Sequence, residues 1–412
     1  MATRIDIRRR NKAKRIFKKN AKTTIKVLIG LILSIILLVA VFVGVVFLSH
    51  NAKTNDDIKK LTDAGLYNIV QLDDGRKMNA SIYGDKNKEY IIVPIGGIGV
   101  QDFSVYAQHI SLNIKNRICM AFVDRAGYGF SSDTAKKQTV EQIVSDYREC
   151  LQKTDVKGPY ILMAHEFGGV YATYWASMYP DEIKGIIYLD GTIISSETEI
   201  KEYKFTKEDT HKSMLCKIGF QRVLYNDYYN CSSKVLSAQE AECSRAMNIH
   251  SIKTNAQMSE LKLMKQNLEK TLAAIEKNDI PKLYLSATNG FQTKEEAEEF
   301  FKFKNQQNAE IGEKVFFDFN REESTKQKEI EEFINKSLSN YNNITALAEN
   351  LGNCKVARIP GDSKIYEQKP EGITDAIIDF AWFLQGDSSR IKSVYEDTKA
   401  INWENFNKEH GN

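Results

Sequence analysis

Leu162-Met163-Ala164-His165-Glu166-Phe167-Gly168-Gly169 joins an apolar run, PYILMA, to a stretch of helical character, VYATYWASMYP. The small residues Ala164, Gly168 and Gly169 let strand and helix approach closely enough to force a sharp turn. Such a turn holds the side chain at position 166 proud of the sheet. Upstream lie EYIIVPI followed by SVYAQHISLNI, then RICMAFVD followed by VEQIVSDYRECLQK; GIIYLD lies downstream. Strand, helix and strand at this rhythm predict a parallel sheet with crossover helices on both faces. NIVQL, the turn DDGR and KMNASIYG precede it with a hairpin pattern, Asp-Gly supplying the turn. After Asp190 the rhythm breaks into a polar, helical cap over about 191–279. KLYLSAT resumes the sheet, a charged helical insertion runs over about 293–352, CKVARIP is a last strand, and ITDAIIDFAWFL is a closing amphipathic helix. Residues 66–412 therefore read as one α/β domain with a helical cap.

In front of that domain, Val27 to Leu48 are 22 consecutive residues without a charge. At ~1.5 Å per residue they make about 33 Å of apolar rod, enough to cross a bilayer. A cleaved signal peptide would have a shorter apolar core and a small-x-small site, whereas SHNAKTNDD follows Leu48. We therefore expect an uncleaved transmembrane helix over 27–48, contacting lipid, between a basic tail at 1–26 and a short stalk at 49–65. The tail holds eleven Lys or Arg against one acid, Asp6, so it carries +10. The positive-inside rule then keeps the N-terminus cytoplasmic and puts the body outside the cell membrane.

The net charge of +3 is misleading for the same reason, because a tail of +10 leaves the remaining 386 residues at −7. An acidic body lacks the cationic face that a nucleic acid needs, so nucleic acid is excluded as a partner. Six cysteines, at 119, 150, 216, 231, 243 and 354, show no CxxC and no zinc-type Cys/His spacing, so neither a metal nor another cofactor is expected. Cys119 falls in an apolar strand and reads as a packed thiol, while Cys216, Cys231 and Cys243 are close enough in sequence to offer one disulfide.

At the 162–169 turn the chain resembles the α/β-hydrolase superfamily, whose nucleophile elbow is G-x-S-x-G; Ala164 stands in the first Gly position and Gly168 in the second. Ile95-Gly96-Gly97-Ile98-Gly99 resembles the family's His-Gly oxyanion loop, and Asp124-Arg125-Ala126-Gly127-Tyr128-Gly129-Phe130-Ser131 its D-R-x-G-x-G-x-S turn. Tyr174 to Glu182 resembles the end of the helix after the elbow in bacterial members; Ile359-Pro360-Gly361-Asp362-Ser363 and Pro370-Glu371 match the approach to the last helix. The likeness runs from about Asn68 to Gln385, outside the cap and the 293–352 insertion.

Carried over residue by residue, the resemblance implies a degenerate triad. Glu166 stands where the family has Ser, or Asp in dehalogenase-like and epoxide-hydrolase-like members. Asn289 falls at the acid position, Ser363 at the position of the His, and Ile95 at that of the oxyanion-loop His. The amides of Gly97 and Phe167 are the implied oxyanion donors, and Asp190 is a nearby acid that could orient a base or brace the cap hinge. Ser catalysis needs a base to take the hydroxyl proton and an acid to hold that base. A carboxylate nucleophile still needs a His to activate water. His165 reads as structural; His109 lies on the first helix after the hairpin, and a cap histidine, His211 or His250, is the remaining candidate base.

We therefore expect a non-catalytic, membrane-anchored protein whose Glu166 carboxylate fills its own oxyanion site and favours a small, cationic ligand, or which holds an envelope protein through the cap or the insertion. The alternatives are an esterase-like hydrolase with an unconventional site built on Glu166, and a purely structural envelope protein.

Overall fold

The computed structural model describes residues 4–114, 116–224, 235–310 and 312–396. It begins with one helix, α1 (Arg4–Asp63), that runs without a break through the apolar span. The hairpin follows as β1 (Ile69–Gln71) and β2 (Lys77–Tyr83), then β3 (Tyr90–Ile95), α2 (Phe103–Ser111), β4 (Ile118–Val123), α3 (Val140–Lys153), β5 (Tyr160–His165), α4 (Gly168–Met178) and β6 (Ile183–Leu189). The cap contributes α5 (Lys207–Lys217), α6 (Gln221–Leu224), α7 (Ala238–His250) and α8 (Asn255–Ala274). The chain returns to the sheet as β7 (Lys282–Ser286), leaves it for α9 (Lys294–Glu310) and α10 (Glu323–Leu351), and ends in β8 (Cys354–Arg358), α11 (Ile365–Gln368) and α12 (Pro370–Phe383).

Among the described residues the sheet has eight strands in the order β1-β2-β4-β3-β5-β6-β7-β8. β2 is antiparallel to β1 and β4, and the other neighbours run parallel. β3, β4 and β5 are buried at every position, as expected of strands covered on both faces. On one face sit α3, α4 and α8; α2 and α12 cover the other. α3 shows why such a segment is a helix. Thr139 accepts a hydrogen bond from the Gln142 amide at its start, and Val140, Ile143, Val144, Tyr147 and Leu151 form one buried stripe. α9 and α10 carry a small core of their own, in which Phe301 stacks on Phe317 at 4.5 Å and packs edge-on against Phe333.

Two expectations change. The segment at 49–65 is no free stalk: α1 continues to Asp63, and Leu61 and Leu66 are buried in the core beneath α2. An amphipathic stripe, hidden in sequence by its many charges, draws it onto the body. Cys216 and Cys243 are not bridged; both are buried free thiols, as are Cys119 and Cys150, and Cys231 lies outside the described residues. The Cys243 thiol instead faces the Lys60 carbonyl, and Cys216 faces the carbonyls of Ile249 and His250.

Candidate functional site

β5 ends at His165 and α4 begins at Gly168, so two residues make the turn. Glu166 takes φ +45°, a left-handed conformation that an L-residue adopts only under constraint. The constraint comes from three sides. The Glu166 amide donates to the Leu189 carbonyl at 3.1 Å, and its carbonyl accepts from the amides of Gly169 and Thr192, each at 3.0 Å. Gly168 is required because a Cβ there would overlap the Ile95 carbonyl oxygen. The expected elbow is therefore present, with a carboxylate at its tip.

That carboxylate lies against the oxyanion loop. A Cβ on Gly97 would stand 2.8 Å from Glu166 Oε2, so the bare Gly97 backbone is what admits the side chain. Among the described residues neither the Gly97 amide nor the Phe167 amide makes a backbone hydrogen bond, and no hydrogen bond reaches the Glu166 carboxylate. The carboxylate thus occupies the neighbourhood of the two amides without closing onto them. Among the described residues its one titratable neighbour within 4.0 Å is the His165 imidazole, whose Nε2 lies at that distance from Oε1.

His165 is buried, stacked on Phe103 at 5.5 Å and edge-on to Tyr366 at 5.0 Å. Its Nε2 donates to the Ser363 carbonyl at 2.8 Å, and its Nδ1 has no partner among the described residues. Burial holds this imidazole below its ordinary value, against the opposing pull of Glu166. Ser363 is thereby brought to the site through its backbone, while its hydroxyl donates to Asp362 at 3.2 Å. Asp362 in turn pairs with Lys304 of the insertion at 2.6 Å.

Asp190 is buried at the end of β6 with φ +47°. Its Oδ1 accepts from the Ala287 and Thr288 amides at 2.9 and 3.0 Å, and its Oδ2 from the Thr288 hydroxyl at 2.7 Å. Burial pushes its carboxyl up to about 6; the hydrogen bonds oppose the rise and the Glu166 charge adds to it. Asp190 holds the β7 loop and is not hydrogen-bonded to any imidazole. Asn289 sits beyond that loop and accepts from Asn340 of α10 at 2.8 Å. The structure therefore gathers Glu166, Gly97, Phe167, His165 and the Ser363 backbone, with Asp190 behind them, and turns Asn289 towards the insertion. His109 pairs with Glu240 at 3.1 Å, and His250 stacks on Phe130 at 4.2 Å, so both are engaged elsewhere.

Arg125 entered the sequence reading only as part of the 124–131 turn, and Glu260 was not singled out by sequence. The Arg125 guanidinium is buried and donates to the carbonyls of Gly96 and Gly97 at 2.6 and 2.9 Å, while its Nε faces Glu260 Oε1 of α8 at 3.1 Å. Glu260 also accepts from the Tyr171 hydroxyl of α4 at 2.7 Å. One buried ion pair thus fastens the oxyanion loop, the 124–131 turn, the elbow helix and the cap together. The available signal was a lone acid within the buried stripe Ala256, Gln257, Glu260, Asn267, Leu268 and Thr271 of α8.

Sheet order, elbow and flanking layers define an α/β-hydrolase fold. The chain belongs to the same family as the uncharacterized protein YbdG of Bacillus subtilis (strain 168), to which it is 31% identical over 276 residues, 65% of this chain and 82% of that protein. No protein-family model matches it. Among solved structures, a membrane phospholipase A described as a bacterial virulence factor superposes with a TM-score of 0.50 at 17% identity, covering 86% of this chain and 99% of that one. Cfl2 from Burkholderia cenocepacia also superposes at 0.50, with 14% identity over 76% of this chain and 95% of its own. At such identities the likeness shows the fold alone.

Proposed function

We propose that this chain is a membrane-anchored pseudohydrolase that binds a small cationic ligand at Glu166 and does not turn it over. The observation that carries this reading is the Glu166 carboxylate at the elbow tip, partly exposed and without a Lys or Arg partner among the described residues. An anion held at a strained turn beside two unused amides has not settled its own charge, and a ligand ammonium would do so. Against turnover stand the absence of an imidazole at position 363 and the engagement of Asp190 by the β7 loop. Without a base, an ester formed on Glu166 would have no activated water to release it.

The test uses the full chain in nanodiscs, titrated with tetramethylammonium and with choline, read by thermal shift. A concentration-dependent rise in melting temperature that is lost in Glu166→Gln supports the reading. Equal shifts in both proteins, or none in either, would sink it. Steady hydrolysis of an aryl ester that disappears in Glu166→Gln would instead favour the unconventional-hydrolase alternative. Binding of neither ligand by a well-folded chain would return the weight to an envelope-protein partner.

The anchor itself is the apolar part of α1, and we place its N-terminus inside and the body outside on the strength of the basic flank. Protease added to intact cells should then remove the body; full protection would reverse the orientation.

A further inference from the structure

One face of α1 is buried along the body. Val46, His50, Asp57 and Leu61 are buried at helical spacing, Thr54 and Ile58 are half-buried between them, and Val43 and Gly44 are half-buried just before them. The stripe starts inside the apolar run that ends at Leu48. There the Phe42 ring meets Phe220 edge-on, with centroids 5.8 Å apart. Phe220 belongs to the cap, in the turn between α5 and α6.

The register of cap on helix is locked. Arg222 of α6 is buried, donating to Asp57 at 2.5 Å, to His50 Nδ1 at 3.0 Å and to the Thr54 hydroxyl at 3.3 Å. Gly219 has φ +81°, and a Cβ there would overlap the His50 side chain. The cap therefore cannot slide along α1 without breaking a buried ion pair and a close backbone contact.

We propose that the α5–α6 corner of the cap dips into the hydrocarbon of the bilayer that α1 spans, giving the body a second contact with acyl chains. This rests on reading α1 as a membrane span. Phe42 lies six residues before Leu48, about 9 Å inward from the end of the apolar rod. A side chain docked on Phe42 shares that depth. Sliding α1 until Phe42 sat at the bilayer surface would draw Lys26 about 6 Å into a hydrocarbon core of about 30 Å.

The cap sequence fits this placement. The first half of α5, KEDTHK, is charged, whereas from Met214 to Val223 the charges are Arg222 and Lys217 alone, and the Lys217 ammonium faces Asp133 at 3.7 Å. Met214 and Val223 are 58% and 54% exposed, and Leu215, Ile218 and Phe220 are half-buried beside them. The one arginine of the corner, Arg222, is turned inward onto Asp57 instead of facing outward.

The experiment compares spin labels at Val223→Cys, at Ile36→Cys in mid-span and at Lys201→Cys on the exposed cap surface. The full chain is placed in phosphatidylethanolamine and phosphatidylglycerol nanodiscs, with the unsubstituted chain as background for the native thiols. Collision with oxygen, which partitions into lipid, is measured against collision with a water-soluble nickel chelate. The oxygen-to-nickel ratio should be highest at 36, lowest at 201 and clearly raised at 223. A ratio at 223 equal to that at 201, with 36 still shielded from nickel, overturns the cap contact and leaves the span intact. Nickel access at 36 overturns the span itself. All three sites are exposed, so the labels do not challenge folding.

Discussion

His165 donates from Nε2 to the backbone carbonyl of Ser363 at 2.8 Å. A carbonyl only accepts, so the proton sits on Nε2 and the buried Nδ1 is bare. Position 363 is where the resemblance places the catalytic base. Here it offers a backbone oxygen that immobilises a neighbouring imidazole, and no other imidazole among the described residues lies within 4.0 Å of the Glu166 carboxylate.

The first expectation is catalytic silence. The chain should not label with a fluorophosphonate probe, and Glu166→Ser alone should stay inert because the new hydroxyl has no base. Adding Ser363→His and Asn289→Asp supplies base and acid, and weak esterase activity is the expected result, since members of a triad act as a unit. The Asn289 side chain faces Asn340, so the acid is the weaker element of the rebuilt set. A folded triple variant as inert as the single one would show that the loops at 289 and 363 do not converge.

A second expectation separates strain from charge at the elbow. Glu166→Ala keeps the left-handed backbone and a Cβ, whereas Glu166→Gly removes the steric penalty of about 1 to 2 kcal/mol that an L-residue carries there. The Gly variant should therefore melt above the Ala variant. Equal melting temperatures would mean that the turn relaxes when the carboxylate is removed.

The fold was legible because β3, β4 and β5 are unbroken apolar runs and the small residues around position 166 permit one kind of turn. The cap and insertion were legible as helical regions only. Their contacts join residues far apart in the chain, such as Arg222 with Asp57 and Lys304 with Asp362, and no local pattern encodes such pairs. Glu166, Ser363 and Gly97 were found from motif positions; Glu166 lies against Gly97, and Ser363 reaches the neighbouring His165 through its carbonyl. Asn289 was placed by alignment to the end of β7, and its orientation depends on α10, an element outside the resemblance. The helical stripe at 49–63 was masked by its charges, several of which face solvent while Asp57 and His50 face the cap.

Asp190 gives a pH-dependent prediction. Its folded value near 6 exceeds the ordinary carboxylate value, so the folded state binds the extra proton and this group's contribution to stability is lost as pH rises from about 4 through 6. Asp190→Asn keeps an oxygen for the two amides and has no charge to bury. Relative to the native chain it should gain on the order of 2 kcal/mol between pH 4.5 and 7.5. Asp190→Ala strands two amides and should be destabilised at both, by about 1 to 3 kcal/mol per amide. Denaturation of the detergent-solubilised chain at the two pH values measures both, and a pH-independent difference for Asn would contradict the assignment.

The Arg125–Glu260 pair predicts strong non-additivity. Arg125→Met or Glu260→Met alone leaves an uncompensated buried charge, at a cost of about 3 to 5 kcal/mol. The double variant should recover much of that loss, because neither charge is then buried alone. Melting curves of the four proteins close the cycle; additive losses would mean that the two side chains act independently.

α1 runs from Arg4 to Asp63 without a break and is clamped to the cap over its last turns. A body on a loose tether sweeps a volume and meets whatever diffuses through it. Fixed instead to an unjointed rod of about 90 Å that spans the bilayer as proposed, this body would be carried at constant height and attitude, and its encounters would become a search in two dimensions.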